Sequence, residues 1–400
     1  MKTFGIDVSP AGRSQKTGTE WYTARLVEAM QKQVKTDEKL LLYGPFLPSA
    51  PLLFKEGSGV VENHVLRWLF KRLWTQGRLA FEMLRRPPDV LFVPSHVVPW
   101  IHPKKTVTTI HDIGFKRRPD LYEPKARRYL DATTKFAIKQ CVKLLTPSVF
   151  TKQELIDVYH VDPERIVVTP LAPANSLPSF ILPSFQGGDQ GVVSGDVPPP
   201  LPLLREVGRA RMDVLKKHQL SASYFLTVSR MESKKNIATL IRGFEIFKER
   251  RGVGDPFQLV LVGKPGFGYS AIKTLIDRSP VKHAIRKLGW INDEDVASLM
   301  SGAFAYAYPS WYEGLGISAL EASAAGTPVI ASDIPALHEA AGDAALYFNP
   351  ADPRALANQM TRLVEEGATR ERLIMNARAH ITEFSWDKTA ALTWEVLRSL

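Results

Sequence analysis

Cysteine is nearly absent from this chain, which has a single thiol, Cys141, among 400 residues. One thiol excludes an internal disulfide and a zinc site built on several cysteines. Long apolar runs are also missing, because prolines interrupt the longest uncharged stretches, residues 40–54 and 171–188, and neither can span a bilayer. Residues 1–10 lack a charged segment followed by an apolar run, so we expect no secretory signal and a cytoplasmic protein.

Two common nucleotide-binding motifs are missing as well. The loop between Gly12 and Gly18 holds five residues, and no lysine follows it, which excludes a Walker A phosphate loop. The first turn also lacks the G-x-G-x-x-G pattern, which argues against a dinucleotide-dependent dehydrogenase.

Acidic residues are scarce in the first half of the chain. Residues 1–171 contain 27 Lys and Arg against 17 Asp and Glu, whereas the remainder contains 25 against 24. The net charge of +11 therefore belongs almost entirely to the first half, and it is densest in residues 64–86 and 116–143. Basicity alone favours non-specific contacts with nucleic acid. No nucleic-acid-binding motif accompanies it, however, and we expect no nucleic-acid partner.

One of the basic segments is amphipathic. Between Leu66 and Trp74, six apolar residues are interleaved with the cations Arg67, Lys71 and Arg72. This pattern is typical of a helix that lies on anionic lipid. It is also typical of a helix whose aromatic face packs on its own domain while the cations face water. The sequence leaves both interpretations open, so an anionic membrane surface, at the inner face of the plasma membrane, is a candidate partner.

Strand and helix patterns alternate along both halves of the chain, as in parallel sheets covered by helices. The first series predicts strands at residues 3–8, 40–43, 90–93, 106–110, 143–146 and 166–169. The second series predicts strands at residues 225–229, 258–262, 303–308, 328–331 and 346–348. Between them, residues 171–203 contain seven prolines, four glycines and no lysine or arginine, which is typical of a loop or linker.

The sequence therefore predicts an α/β fold with two Rossmann-like, doubly wound domains. Their predicted bounds are residues 1–171 and 211–383, with a Pro/Gly-rich loop and linker at 172–210 and an amphipathic terminal helix at 384–400. In open parallel sheets, ligands bind beyond the carboxyl ends of the strands. We expect the functional residues in the loops at those ends.

The most informative segment is residues 309–322, which carries Glu313 and Glu321 eight positions apart. A strand pattern precedes Glu313 and good helix formers follow it, so Glu313 lies in a strand-to-helix loop and Glu321 about a turn into the helix. The amides of Leu315, Gly316 and Ile317 lie at the positive end of the helix dipole, where a phosphate can bind. A nucleotide sugar has the matching shape, with hydroxyl groups at both ends of a central diphosphate.

Two cations follow the predicted strand at residues 225–229. Arg230 and Lys235 can neutralise the charge that grows on a departing diphosphate. Lys234, between them, is expected to be an ordinary solvated cation.

In the first half, His111 and Asp112 end a predicted strand. There His111 can hydrogen-bond a sugar hydroxyl without changing charge. Gly18 ends the first loop, where a glycine lets backbone amides approach a ligand. His96 has no comparable context, and we treat it as ordinary.

These motifs closely resemble the E-x7-E block and its neighbours in the retaining glycosyltransferases of family 4, which have the GT-B fold of two facing Rossmann-like domains. The resemblance implies that Glu313 contacts the transferred sugar and Glu321 the ribose. It implies that Arg230 and Lys235 bind the diphosphate, and that His111 lies beside the donor sugar. It also implies that the terminal helix leaves the second domain and packs on the first.

The first loop and an acidic tripeptide differ from what these motifs lead one to expect. Thr17-Gly18 stands where the family usually has a Gly-Gly pair, so the first loop has a different shape. Asp293-Glu294-Asp295 matches the D-x-D string that other sugar transferases use for a metal, but its position before an apolar pattern indicates acidic residues at a helix start. We therefore expect no metal and no cofactor.

The resemblance implies a hexosyltransferase of polysaccharide biosynthesis. Its donor would be a UDP- or GDP-linked sugar, with mannose as one candidate, and its acceptor a glycan or a lipid-linked acceptor held by the first domain. Transfer with retention, with the departing diphosphate as the base, is the family expectation. Two alternatives stay open: a sugar-nucleotide epimerase or phosphorylase of the same fold, and a non-enzymatic basic protein that binds nucleic acid.

Overall fold

The structure, a computed structural model, describes residues 1–12, 16, 18–45, 58–66, 68, 73–173 and 211–400. The first sheet contains β1 (Lys2–Asp7), β2 (Glu38–Gly44), β3 (Val60–Val65), β4 (Val90–Val93), β5 (Thr106–Thr109), β6 (Lys143–Thr146) and β7 (Ile166–Val168). Its helices are α1 (Gly18–Gln31), α2 (Ala80–Arg85), α3 (Gly114–Arg117), α4 (Pro124–Gln140) and α5 (Val149–Tyr159).

The second sheet follows helix α6 (211–217). It contains β8 (Tyr224–Val228), β9 (Gln258–Val262), β10 (Ile285–Gly289), β11 (Ala305–Tyr308), β12 (Val329–Ser332) and β13 (Ala345–Phe348). Its helices are α7 (Ile237–Arg251), α8 (Tyr269–Arg278), α9 (Asp293–Gly302), α10 (Ile317–Ala324), α11 (Pro335–Ala341), α12 (Pro353–Glu365) and α13 (Gly367–Ile381), and α14 (Trp386–Arg398) ends the chain.

Both sheets are parallel and doubly wound. The strand order is β3-β2-β1-β4-β5-β6-β7 in the first and β10-β9-β8-β11-β12-β13 in the second. Successive strand residues point to opposite faces. In the second sheet Leu226 belongs to the apolar cluster that includes α10, whereas its neighbour Phe225 belongs to the cluster that includes α7. Burial on both faces explains the nearly continuous apolar runs that predicted these strands. The predicted fold class is confirmed.

The sequence patterns did not predict strands β3 and β10, which both lie at a sheet edge. An edge strand has a neighbour on one side only and is partly open to water, so it tolerates polar residues. Glu62 and His64 interrupt β3, and Arg286 and Lys287 interrupt β10. The apolar signal on which the other predictions rested is therefore weak in these two strands.

The terminal helix α14 returns to the first domain, as the resemblance implied. The Trp394 side chain is fully buried, donates from Nε1 to the carbonyl of Met30 at 3.0 Å, and meets the Phe4 ring edge-on at 5.1 Å. Arg398 forms a two-bond pair with Glu38 at 2.7 and 2.9 Å. The last helix of the chain thus completes the core of the first domain.

The amphipathic segment of residues 66–74 is only partly described, because Arg67, Lys71 and Arg72 lie outside the described residues. Leu66 is buried, and the Trp68 ring lies against Gly77. Trp74 donates to the Asp7 carboxylate at 3.2 Å. Leu66, Trp68 and Trp74 thus contact their own domain, whereas Leu73 is 70% exposed, and contact of this segment with a membrane stays a prediction.

The predicted linker at 172–210 lies outside the described residues apart from its first two positions, and the domain bounds stay predictions. Within the described part of the chain, no helix combines the length and apolar character that a bilayer crossing requires.

Candidate active site

The carboxyl ends of strands from both sheets meet at the junction of the domains. The second domain contributes the β8–α7 segment and the β11–α10 loop. The first domain contributes the residues that follow β4 and β5. Glu313, Lys235 and His111 all lie in these segments, so the structure brings the central predicted residues to one junction.

Glu313 lies in the β11–α10 loop and is buried, with its Oε1 atom 2.6 Å from Nζ of Lys235. Burial alone would raise the pKa of Glu313, but Lys235 and Lys234 hold it below its usual range. Lys235 also lies 5.4 Å from the centre of the Tyr308 ring. The site therefore contains a desolvated carboxylate that stays ionised at neutral pH.

Lys234 is not the solvated cation that the sequence suggested. Its Nζ atom lies 3.0 Å from Oδ2 of Asp112, across the junction, and its side chain is only 13% exposed. Burial would lower the pKa of Lys234, but Asp112 raises it well above its usual range. Lys234 points to the first domain and Lys235 to Glu313, so two neighbouring lysines serve different partners.

Gly314, the residue after Glu313, lies in close contact with the first domain. Its carbonyl accepts hydrogen bonds from the hydroxyls of Ser148 and Thr151, the latter at 2.9 Å. A Cβ atom at Gly314 would lie 1.9 Å from the carbonyl oxygen of His111. Only glycine permits this contact, which fixes the Glu313 loop against the strand end that carries His111.

The start of α10 has no side-chain cap among the described residues, and its N-cap, Gly316, has φ of +107°. The amide of Ala319 donates to the carbonyl of Gly316 at 2.9 Å, whereas the amides of Ile317 and Ser318 precede any intrahelical acceptor. Leu315 is buried, Ile317 begins the helix, and Glu321 lies in its second turn, close enough to influence the pKa of Tyr308. This geometry agrees with the predicted phosphate seat, and the ligand contacts themselves stay predictions.

Arg230 and Gly18 lie at the periphery. The Arg230 side chain is 58% exposed, and its Nε atom is 3.5 Å from Glu232. Gly18 is the first residue of α1, and a Cβ atom there would meet no atom within 4 Å. The fold therefore leaves Arg230 free to turn towards a ligand and does not itself require glycine at position 18.

His111 is half-buried in the first domain. Its Nε2 atom lies 3.0 Å from the carbonyl oxygen of Pro94, and its ring packs edge-on against Tyr22 at 4.7 Å. A carbonyl can only accept, so Nε2 carries the proton and Nδ1 is left as an acceptor. Burial lowers the pKa of His111, which keeps the ring neutral.

Sequence reasoning missed His96, which follows β4. Its Nε2 atom is buried and has no hydrogen-bond partner in the described part of the chain. Burial lowers its pKa to about 4, and the nearby His111 and Asp112 also act on it. Its place three residues beyond the apolar run of β4, at a strand's carboxyl end, was the available signal.

The D-x-D string lies in the first turn of α9, as predicted. Asn292 caps this helix, and the Asp295 carboxylate accepts hydrogen bonds from Lys217 and His218 at 2.7 and 2.8 Å. Among the described residues, no group of three or more His, Cys, Asp or Glu could hold a metal ion. Metal independence stays a prediction.

Comparison with known proteins adds independent evidence. The family model "Glycosyltransferase Family 4" matches residues 17–172, and "Glycosyl transferases group 1" matches residues 214–380. The chain is 28% identical to O-antigen chain mannosyltransferase B of Escherichia coli over 390 residues, 94% of each chain. It is 25% identical over 363 residues to the O-antigen chain mannosyltransferase RfbU of Salmonella typhimurium, 88% of each chain.

Solved structures share the fold. Sucrose-phosphate synthase from Thermosynechococcus elongatus superposes with a TM-score of 0.71 at 18% identity, over 100% of this chain and 99% of that one. WaaG, a glycosyltransferase involved in lipopolysaccharide biosynthesis, gives 0.69 at 14% identity, over 99% of both chains. These similarities confirm the GT-B architecture. Since the two family models together match most of the chain, this protein belongs to the group 1, family 4 glycosyltransferases.

Proposed function

We propose that this enzyme transfers a hexose, mannose in the first instance, from a nucleotide diphosphate sugar to a hydroxyl group of a glycan or lipid-linked glycan, with retention. The observation that carries the proposal is the buried, ionised Glu313, held by Lys235 beside the start of α10, which no described side chain caps. Two relatives named as O-antigen mannosyltransferases support mannose as the sugar. They also favour transfer over the epimerase, phosphorylase and nucleic-acid alternatives.

The second domain would bind the donor. The first-turn amides of α10 would receive the diphosphate, and Glu321 would accept hydrogen bonds from the ribose. The Lys235 ammonium group has three donors, so it can bond Glu313 and a phosphate oxygen together. Arg230, at the periphery of the site, would change its side-chain conformation to bind the diphosphate. Each charge-assisted contact is worth roughly 1.5–3 kcal/mol.

Glu313 would contact the transferred sugar. His111 would orient that sugar by accepting a hydrogen bond from one of its hydroxyl groups at Nδ1. In the chemical step, the bond between the anomeric carbon and the diphosphate breaks, and the acceptor oxygen forms the new bond on the same face. The departing phosphate oxygen takes the proton of the acceptor hydroxyl. Lys235, Arg230 and the helix start would stabilise the charge on the leaving diphosphate, so we propose that the step needs no metal.

A screen of nucleotide sugars tests the donor. Thermal unfolding is followed with UDP-glucose, UDP-galactose, UDP-N-acetylglucosamine and GDP-mannose, each with and without EDTA. A donor present at 100 times its dissociation constant stabilises the folded protein by about 2.7 kcal/mol. We expect GDP-mannose to raise the midpoint of thermal unfolding by the same amount with and without EDTA. No shift with any of the four would contradict the proposal.

We also propose an anionic membrane surface as a partner. Phe81 and Leu84 on α2 are 54% and 64% exposed, and Trp100 is 70% exposed. The Gln76 side chain, in the turns before α2, accepts from the Trp100 amide at 2.8 Å, which places Trp100 near the segment that leads into α2. The exposed cations beside it along the chain are Arg85, Arg86, Lys104 and Lys105. Near an anionic membrane surface, each of these cations contributes about 1 kcal/mol to the binding free energy.

Vesicle co-sedimentation tests this partner. Phe81→Ser with Leu84→Ser should release the protein from phosphatidylglycerol vesicles. Met375→Ser, which replaces a similarly exposed apolar residue on the second domain, is the control and should leave sedimentation unchanged. Equal sedimentation of all three proteins would end the membrane proposal and leave the donor site unaffected.

A further inference from the structure

The loop after β4 is fixed to the end of β5 by two hydrogen bonds. Nε2 of His111 donates to the carbonyl of Pro94 at 3.0 Å, and the hydroxyl of Thr108 donates to the carbonyl of Ser95 at 2.6 Å. The next residue, His96, is thereby held near His111 and Asp112, and both influence its pKa.

Within this ordered loop, the Nε2 atom of His96 is buried and makes no hydrogen bond to any described residue. A buried polar atom without a partner destabilises a folded protein. The fold itself therefore gives no reason for an imidazole at this position. Because burial lowers its pKa to about 4, the ring is neutral at physiological pH and suits an uncharged hydroxyl group better than a phosphate.

The position of His96 indicates which ligand it meets. Strands β1 and β4 are neighbours at the centre of the first sheet, and the chain leaves them towards opposite edges. A crevice forms at such a switch point, and it is where ligands bind in doubly wound sheets. The crevice belongs to the first domain, whereas the residues assigned to the nucleotide belong to the second.

We propose that His96 is an acceptor-binding residue, whose Nε2 atom hydrogen-bonds a hydroxyl of the glycan acceptor beside the transferred sugar. This inference rests on the proposed glycosyl transfer and names a residue that recognises the acceptor. The hydroxyl would satisfy the buried nitrogen, and the neutral ring would select an uncharged sugar surface.

The test combines stability with kinetics in His96→Leu. Removing an unsatisfied polar atom should leave the thermal midpoint unchanged or raise it, whereas losing one hydrogen bond should raise the KM for a mannose-terminated oligosaccharide about tenfold. The KM for GDP-mannose and the rate of donor hydrolysis without acceptor should stay within about twofold. His96→Gln, which keeps a polar atom near the Nε2 position, should recover part of the acceptor affinity.

His102→Leu is the matched control from the same loop. Nδ1 of His102 bonds the carbonyl of Pro103 at 2.9 Å, so this variant should lower the thermal midpoint and leave the acceptor KM unchanged. An unchanged acceptor KM in His96→Leu, with wild-type donor hydrolysis, would overturn the role of His96 alone. A raised donor KM would assign His96 to the donor instead. A wild-type enzyme that neither binds nor hydrolyses any donor would overturn the proposed function and this role with it.

Discussion

At Glu313, burial and charge act in opposite directions. Burial raises the pKa of Glu313, whereas the charges of Lys235 and Lys234 lower it below its usual range. The side chain is therefore ionised although water is largely excluded. In such an environment a fixed charge interacts more strongly with a developing one than it does in water. The Glu313–Lys235 pair is therefore suited to a reaction in which charge changes on a sugar and a diphosphate.

The two glutamates should respond differently to substitution. Glu313→Gln should lower kcat by at least about 100-fold with a small change in donor KM, because its charge acts on the group that moves. Glu321→Gln should raise the donor KM about tenfold, because it would remove the proposed ribose contact. Steady-state kinetics with a saturating acceptor would measure both. Wild-type kinetics in both variants would show that this block does not form the site.

The Asp112–Lys234 pair should be required for stability. Lys234→Met leaves the half-buried carboxylate of Asp112 without its ammonium partner, which should destabilise the protein by up to about 3 kcal/mol. Asp112→Asn with Lys234→Met removes both charges and should recover most of the thermal midpoint. An equal loss in the single and double variants would mean that packing, rather than charge, holds the junction.

Acid should weaken the fold through His96. Its pKa is about 4 when folded, below the usual 6.5, so the unfolded chain binds more protons between these values. Stability falls as pH falls, by about 2 kcal/mol between pH 6.5 and 4.5 for this residue. His96→Leu should therefore show a smaller drop in urea midpoint over that range. An identical drop in wild type and variant would be evidence against the assigned pKa.

The sequence predicted the role of a residue where that role depends on neighbouring residues along the chain. It did not predict a role that depends on contact with the other domain. The E-x7-E spacing and the strand-to-helix loop were visible in sequence. Which of Lys234 and Lys235 faces the carboxylate was not, because Asp112 of the first domain selects Lys234. His96 was missed because burial of its Nε2 atom is a property of tertiary structure.

At the scale of elements, α5 and the β11–α10 loop form the junction. Ser148 caps α5 and also bonds the carbonyl of Gly314. Glu339 on α11 accepts from the amides of Val149 and Phe150 at 2.7 and 3.0 Å, so a carboxylate of one domain lies at the positive helix start of the other. Hydrogen bonds from the first domain thus help to place the loop that carries Glu313.

Gly314→Ala should separate chemistry from donor binding. The new methyl group would clash with the His111 carbonyl, so the two domains could no longer approach, whereas the donor-binding residues stay within the second domain. We expect turnover to fall by more than about 100-fold with donor affinity, measured by calorimetry, within about threefold. Gly367→Ala, at an open helical position, is the control and should behave as wild type. Equal turnover in both variants would exclude domain contact at Gly314 from catalysis.

The elements themselves were predictable to the extent that they are buried. Central strands such as β4 and β6 were predicted with their bounds, because both faces are apolar. Edge strands β3 and β10 carry charged residues and gave no such pattern. Sequence periodicity follows burial, so these two polar edge strands were missed, whereas the apolar edge strands β7 and β13 were predicted.

At the scale of the whole molecule, α14 couples the two domains. The chain leaves the second domain and places Trp394 in the core of the first, against Phe4 and Met30. Trp394→Ala should destabilise the first domain by about 3–5 kcal/mol. Differential scanning calorimetry should then resolve an early transition for the first domain. A single transition at the wild-type temperature would show that α14 is dispensable for this coupling.

We propose that the junction around Glu313 transfers a hexose from a nucleotide sugar. The most direct measurement is proton NMR of the reaction of wild type and Glu313→Gln with GDP-mannose, EDTA and a mannose-terminated acceptor. We predict that wild type releases GDP and forms a glycosidic bond with the anomeric configuration of the donor, and that Glu313→Gln does so at least about 100-fold more slowly. Equal rates in the two proteins, or no product from wild type, would contradict the account.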